Sequence, residues 1–302
     1  MSARYDDALG DCLKALEAVE TERCVVPGDC VMVRVDGMTF SNFTSSMDKP
    51  YDLGMADAMK ATAAALLNDF SAAFVYTQSD EITLVFSPDK IPFDGRLQKI
   101  ATACAGKATS HFRGEMAKRI LDHVESVAAA GMSASEAISM IRKLGARDER
   151  LAPAFDGRAI STTPEMAAKF LVWREIDARR NAALGAGRAV FTQSQLGGKS
   201  PGDIKDMLLA AGIDFYEAYC NHFRRGTLMR KRQVEMTLTE EELLRIPEHV
   251  RDSKRGQTFS RSKIVEVEDR PPFYVIDNIT EFALDDDEPV FEDRPFARHI
   301  HP

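Results

Sequence analysis

At 302 residues, with 44% hydrophobic and 28% charged side chains, the chain has room for one large or two ordinary domains and a sizeable core. No apolar run approaches the length of a bilayer span, so no membrane partner is expected. The net charge of −8 is concentrated late: residues 232–302 hold 10 basic and 17 acidic side chains, which leaves 29 and 30 for the rest, so the body is near neutral and its basic clusters decide where a phosphate backbone could lie.

Residues 5–22 have helical spacing, with Ala8, Cys12, Leu16 and Val19 on one face. The segment before them, Met1 to Asp7, has no apolar signal core, and a cytoplasmic location is expected. Pro27-Gly28 breaks the chain before a strand over Val31–Val35, whose alternation puts Arg34 and Asp36 on one face. A loop over 38–52 carries Phe40, Phe43 and Lys49-Pro50. A helix follows, with Leu53, Ala56, Met59, Ala63, Leu66, Leu67 and Phe70 at three- and four-residue spacing. Next come a strand over Ala73–Thr77, a tight turn at Ser79-Asp80 and a strand over Ile82–Phe86.

Leu97 to about Ile120 reads as a long helix, and 120–150 as a helical insertion broken at Gly131 and Gly145. A turn and strand are expected over Ala152–Ser161. Thr163 as N-cap and Pro164 at the first helical position start a helix running past Trp173, which is read as core, towards Ala183. The order β-α-β-β-α-β predicts an α+β fold: a ferredoxin-like split βαβ sheet, as in polymerase palms, with helices on one face. The body is taken as 1–232 with 233–302 as a C-terminal extension, strand-forming near Phe273-Tyr274-Val275-Ile276 and disordered at its acidic end. The five cysteines are scattered without a CxxC pair, which suggests neither a disulfide framework nor a zinc site; buried free thiols are expected.

The chemistry lies in Val33-Arg34-Val35-Asp36-Gly37 and Gln78-Ser79-Asp80-Glu81, each at the end of an apolar strand. Asp36 and Asp80 are expected side by side. Adjacent carboxylates on a rigid sheet attract divalent cations, and Mg²⁺ held by one or two carboxylates plus substrate phosphates is the usual nucleotide arrangement. Gly37 allows a close backbone approach that lets its carbonyl face an ion. Glu81 serves either as a ligand or as a salt-bridged support. The pattern points to metal-dependent nucleotidyl transfer. A palm-fold nucleotide cyclase needs the same carboxylates, and a non-catalytic RNA-binding module would have no use for them.

In order along the chain come Val33-Arg34-Val35-Asp36-Gly37, Phe40 and Phe43, Lys49-Pro50-Tyr51-Asp52, Gln78-Ser79-Asp80-Glu81, Phe155-Asp156-Gly157-Arg158, Trp173-Arg174 with Asp177, and Arg225-Gly226-Thr227. With these blocks the chain resembles the tRNA-histidine guanylyltransferase family, which extends RNA in the 3′-to-5′ direction, across roughly residues 5–231. The resemblance implies a polymerase-like palm, two Mg²⁺ ions, GTP and ATP as substrates, tRNA as partner and a homotetramer. It makes Asp36, Asp80 and the Gly37 carbonyl metal ligands. It places Lys49 on a nucleoside triphosphate, Asp52 near the base, and Arg34, Ser79, Arg96 and Lys99 on phosphates of a second triphosphate or of the RNA 5′ end. One block departs from the pattern: where the family's histidine-specific members read His-Ile-Asn-Asn, this chain reads Arg179-Arg180-Asn181-Ala182. That loss resembles the branch that repairs 5′-truncated tRNAs against a template, with guanylate addition to tRNA-histidine as the alternative.

Overall fold

In the computed structural model, residues 7–151, 153–268 and 270–291 are described. Helix α1 spans Asp7–Thr21, strand β1 Cys30–Met38, α2 Leu53–Phe70, β2 Phe74–Gln78 and β3 Glu81–Phe86. Then come α3 (Leu97–Ala129), α4 (Ala134–Leu151), β4 (Ala154–Thr162), α5 (Pro164–Val190), α6 (Pro201–Ala210), β5 (Thr227–Thr237) and β6 (Thr258–Glu266). The strands form one six-stranded sheet in the order β4-β1-β3-β2-β5-β6, and every neighbouring pair is antiparallel. The first four strands with α2 and α3 are the expected split βαβ unit; β5 and β6 extend it beyond β2.

Pleat alternation divides the sheet's two faces. Val31, Val33, Val35, Val75, Ile82, Leu84 and Phe86 pack against Met59, Ala63, Leu66 and Leu67 of α2 and Ile100, Cys104, Ala108 and Phe112 of α3. Met32, Phe74, Tyr76, Val85 and Leu228 line the other face, beneath Ala167 and Leu171 of α5. Helices therefore cover both faces, not one. The crossover helices take one side, and α5 takes the side on which the expected catalytic carboxylate Asp36 alternates.

Local signals behave as the residues dictate. Thr163 caps α5, accepting from the Met166 N–H at 3.4 Å, with Pro164 in the first turn. Asp52 caps α2, accepting from the Met55 N–H at 2.8 Å. Other expectations are corrected. Gly131 separates α3 from α4, but Gly145 lies inside α4, where other good helix formers carry it. Phe40 and Phe43 belong to a short helical turn, Phe40–Phe43, and both rings are buried with Phe112 and Phe155. Trp173 is half exposed, its ring covered by the Arg174 guanidinium at 4.6 Å. Cys30 and Cys104 are buried free thiols, whereas Cys12, Cys24 and Cys220 are exposed. Leu9, Leu13, Leu16 and Val19 of α1 are exposed as well. No described helix is long and apolar enough to cross a membrane.

Residue 232, where composition changes, lies within β5, which pairs with β6 from Met229 to Thr237. Phe273–Val275 is a 3-10 turn instead of a strand, and Phe273, Ile276, Phe282 and Ala283 close the core beneath α5. Most of the acidic end, from 292 onwards, lies outside the described residues. Asp286 ties this segment down: it accepts from Arg230 Nη1 at 2.5 Å and from Arg232 Nε and Nη2 at 2.7 and 2.6 Å. Arg230 is 3% exposed. Replacing Asp286 with Ala leaves that guanidinium buried without its acid, and the urea midpoint should fall by the equivalent of about 2 kcal/mol.

Candidate active site

Antiparallel pairing sets Asp36 of β1 opposite Glu81 at the start of β3 and opposite Asp156 of β4. The β2–β3 turn is Ser79-Asp80, with Ser79 in the left-handed region at φ 50°. The Gly37 N–H donates to the Asp80 carbonyl at 3.0 Å, which joins the end of β1 to that turn. In an extended strand a residue's N–H and C=O leave on the same edge, so the Gly37 carbonyl is directed to the Asp80 side. Gly37 is required there: a Cβ would lie 2.4 Å from the Phe40 ring packed beneath it.

Burial pushes the Asp80 carboxyl above its ordinary range, and the Asp36 charge adds to the rise, while the Ser79 hydroxyl, donating at 3.0 Å, opposes it. The Asp36 charge thus reaches Asp80, while Asp36 itself has Arg34 at 3.9 Å. Glu81 is also raised, first by burial, with Arg174 pulling the other way. Its Oε1 accepts from Arg174 Nε at 2.6 Å in a nearly closed setting, while Arg34 Nε is 3.8 Å from its other oxygen. Arg174 in turn holds Asp177 at 3.1 Å. Glu81 is therefore the salt-bridged support.

Arg34 stands between Asp36 and Glu81. Its Nη2 is 3.9 Å from Asp36, close enough for charge attraction and too far for a hydrogen bond, and its buried Nε has no hydrogen-bond partner. A buried donor without an acceptor beside two carboxylates suits an incoming phosphate oxygen. The hard oxygen donors Asp36, Asp80 and the Gly37 carbonyl suit Mg²⁺, which fills its remaining positions with water and substrate phosphates. No group of three or more His, Cys, Asp or Glu side chains converges as a metal cluster among the described residues.

The other expected residues are more dispersed. Exposed Lys49 donates from Nζ to the Thr44 carbonyl at 3.0 Å, on the loop that enters α2. Asp52 spends its carboxylate on the α2 cap. Tyr51, between them, stacks on Phe223 with ring centroids 4.5 Å apart, which pins this loop to the segment before β5. Arg96 and Lys99 start α3 at the opposite end of the sheet. Arg96 bridges to Cys24, and only further along does α3 reach the Asp36 level, where Thr109 Oγ1 accepts from the Phe155 N–H. Thirteen residues of helix put Arg96 roughly 20 Å from that level along the axis. One chain does not bring Arg96 and Lys99 to the carboxylates.

Two residues of the resemblance blocks, Arg174 and Gly226, were given no role by the sequence reading. Arg174 carries the support of Glu81 across 93 residues of sequence separation; besides its place in the Trp173-Arg174 block, the signal was a pair of charged residues, Arg174 and Glu175, on an alanine-rich buried helix face. Gly226 opens β5 at φ 68°, and a Cβ there would meet the Tyr76 hydroxyl at 2.5 Å. That hydroxyl donates to the Arg225 carbonyl at 2.8 Å.

Comparison with known proteins fits this architecture. The family model "Thg1: tRNAHis guanylyltransferase" matches residues 13–163. The uncharacterized protein R259 of Acanthamoeba polyphaga mimivirus is 35% identical over 118 residues, 35% of this chain and 40% of that protein. A probable tRNA(His) guanylyltransferase of Drosophila melanogaster is 26% identical over 170 residues, 55% of this chain and 51% of that protein. The chain thus spans about half or less of the length of these curated relatives. Among solved structures, a bacterial tRNA(HIS) guanylyltransferase (Thg1)-like protein in complex with ATP superposes with TM-score 0.63 at 24% identity, over 88% of this chain and 94% of that one. The tRNA(His) guanylyltransferase of Saccharomyces cerevisiae superposes at 0.54 and 20% identity, over 70% and 90%. These structural likenesses speak for the fold. The family model covers half of the sequence, from α1 through β4 and including both acidic turns, and the chain belongs to the tRNAHis guanylyltransferase family.

Proposed function

We propose that this protein is a Mg²⁺-dependent nucleotidyltransferase that adds nucleotides to the 5′ end of tRNA in the 3′-to-5′ direction, in the cytoplasm, as template-dependent repair of truncated ends. The observation that carries the reading is the joining of the Asp36-Gly37 strand end to the Ser79-Asp80 turn by the Gly37 N–H···Asp80 carbonyl bond, with Arg34, whose buried Nε has no hydrogen-bond partner, two residues before Asp36 on the same strand. Family membership supports the chemistry, as do related proteins solved with ATP and with GTP. The repair reading is supported by Arg179-Arg180-Asn181-Ala182 standing where the histidine-specific members read His-Ile-Asn-Asn.

Unless a 5′-triphosphate is already present, the 5′-monophosphate first displaces pyrophosphate from ATP or GTP; the 3′-hydroxyl of the incoming triphosphate then attacks the activated phosphorus in line, AMP, GMP or pyrophosphate leaves, and the hydroxyl proton passes to solvent. Bound at Asp36 and Asp80, Mg²⁺ supplies charge neutralisation and a lowered pKa for that hydroxyl. Arg34 offers its guanidinium to the phosphate being attacked, and the Ser79 hydroxyl stands beside it. Glu81, fixed by Arg174, keeps Arg34 aimed along the sheet. Lys49 neutralises a triphosphate as a point charge. Arg96 and Lys99 lie far from the carboxylates within one chain, and the homotetramer that the resemblance implies would let them serve the site of another copy.

The deciding experiment incubates labelled nucleoside triphosphates with full-length and 5′-truncated tRNAs. We expect filling of the missing nucleotide opposite its Watson–Crick partner on several tRNAs, and weak addition opposite mismatches, each forfeiting about 1 kcal/mol or more of pairing and stacking. Guanylate addition confined to full-length tRNA-histidine would overturn the repair reading. In the same assay Lys49→Ala should raise the triphosphate concentration required about tenfold, the loss of one charge-assisted contact, and leave tRNA binding unchanged. An unaltered triphosphate dependence would reduce Lys49 to its bond with Thr44.

A further inference from the structure

Four cations from three separate elements converge on one cavity of about 250 Å³: Arg179 of α5, Lys205 of α6, and Arg224 and Arg225 of the segment before β5. No carboxylate lines it. Each cation is held by neutral groups. Arg179 lies 5.2 Å over the Tyr274 ring. Lys205 lies over Tyr216 at 5.3 Å and hydrogen-bonds its hydroxyl at 3.3 Å. Arg224 covers the same ring at 5.3 Å and donates to Asn221 Oδ1 at 2.6 Å. Arg225 donates to the carbonyls of Arg270 and Glu268 at 2.8 and 3.0 Å.

The neighbouring basic residues are neutralised, and these are not. Arg180 and Asn181 turn to Asp177, while Arg230 and Arg232 share Asp286. Gathering four like charges with no carboxylate among the lining residues is unfavourable by itself. Burial, with the nearby Arg270, Arg224 and Arg179 charges adding to it and Glu175, itself paired with Arg270, opposing it, draws Arg225 down to about 10. Arg224 Nε is buried without a hydrogen-bond partner. A cavity built this way is complementary to an anion.

We propose that this cavity is a second phosphate-binding site, separate from the Asp36–Asp80 pair. Planar guanidinium forks with a point-charge ammonium suit a tetrahedral dianion. The Tyr216 ring is occupied as a platform for two cations and is not offered to a base, so the group recognised is the phosphate. Thr227 pairs with Thr77, three residues before Asp80, which puts the Arg224-Arg225 segment at the sheet end that carries the carboxylates. A polynucleotide end delivered to Asp36 and Asp80 would pass the cavity. Assigning the phosphate to RNA rests on the function proposed above; the anion site does not.

The test uses the full chain in EDTA, which silences the carboxylate site. Inorganic phosphate binding is followed by ³¹P NMR and calorimetry, and binding of a short single-stranded RNA with and without a 5′-phosphate by fluorescence anisotropy over a range of salt. Saturable phosphate binding is expected, weakened about tenfold for each contact removed in Lys205→Gln and in Arg179→Gln/Lys205→Gln. Asp80→Asn should bind phosphate as the parent does. If RNA affinity falls in the same variants and its salt slope drops by roughly 0.7 per lost contact, the phosphate belongs to RNA. If phosphate binding alone falls, the ligand is a free phosphate compound. Both residues are partly exposed, and circular dichroism checks the fold; should the double variant not fold, Lys205→Gln is read alone. No saturable binding by the parent, or variants that match it in both arms, overturns the site. A parent that binds phosphate yet extends no tRNA would sink the function and leave the site standing.

Discussion

Asp36→Asn and Asp80→Asn are each expected to lower nucleotide addition at least about a thousandfold, the scale on which removal of a preorganised charge acts on a transition state. Asparagine keeps the volume and removes the charge, so the variants should fold. Asp80→Asn should even melt at or above the parent temperature, because the parent holds a carboxylate that burial and the Asp36 charge both disfavour. The pairing of lost activity with retained or higher stability is the diagnostic result. Near-normal turnover with Mg²⁺ in either variant would remove the carboxylate pair from the mechanism.

The largest stability effect is expected beneath α5. Glu175 is fully buried and Arg270 is 2% exposed; their ion pair is 2.7 Å, and the second Glu175 oxygen accepts from the Phe273 N–H at 2.6 Å. Glu175→Ala strands the Arg270 charge and an N–H away from water, and about 3–5 kcal/mol of unfolding free energy should be lost in urea titration. The double variant Glu175→Leu/Arg270→Met should recover part of it, since removing both charges also removes their desolvation cost. A single variant as stable as the parent would mean that the segment after β6 is not anchored there.

What could be read in the sequence was local. Period-two alternation gave β1 through β3, three- and four-residue spacing gave α2 within its observed bounds, and Thr163-Pro164 gave the start of α5. The joining of the Asp36 strand end to the Ser79-Asp80 turn follows from the pairing of β1 with β3, whose alternation and turn were legible. The misreadings share a cause. Gly145 and the Phe273–Val275 run have local preferences that their surroundings override, and Trp173 was read as core by residue type although its helix position faces outward. The supports of the site are pairings between distant residues: Arg174 with Glu81, Glu175 with Arg270, and Arg230 with Asp286. No periodicity encodes those. The remote position of Arg96 and Lys99 likewise depends on which end of the sheet α3 starts from.

The anchoring of Arg270 to Glu175 bears on how the protein is made. Translation delivers β1 to β4 and α5 while the segment carrying Arg270, Phe273, Phe282 and Asp286 is still unsynthesised or inside the ribosomal tunnel. Until it emerges, Glu175 has no countercharge, Arg230 has no acid, and Phe74 and Tyr76 face a half-made wall. Arg174, which steadies Glu81 beside Asp80, sits next to Glu175 on the same helix. A nascent or prematurely terminated product therefore has its acidic turns in place but lacks the buttress behind them. Completion of synthesis is thereby coupled to assembly of the site, and a partial chain carries the acidic turns without their support.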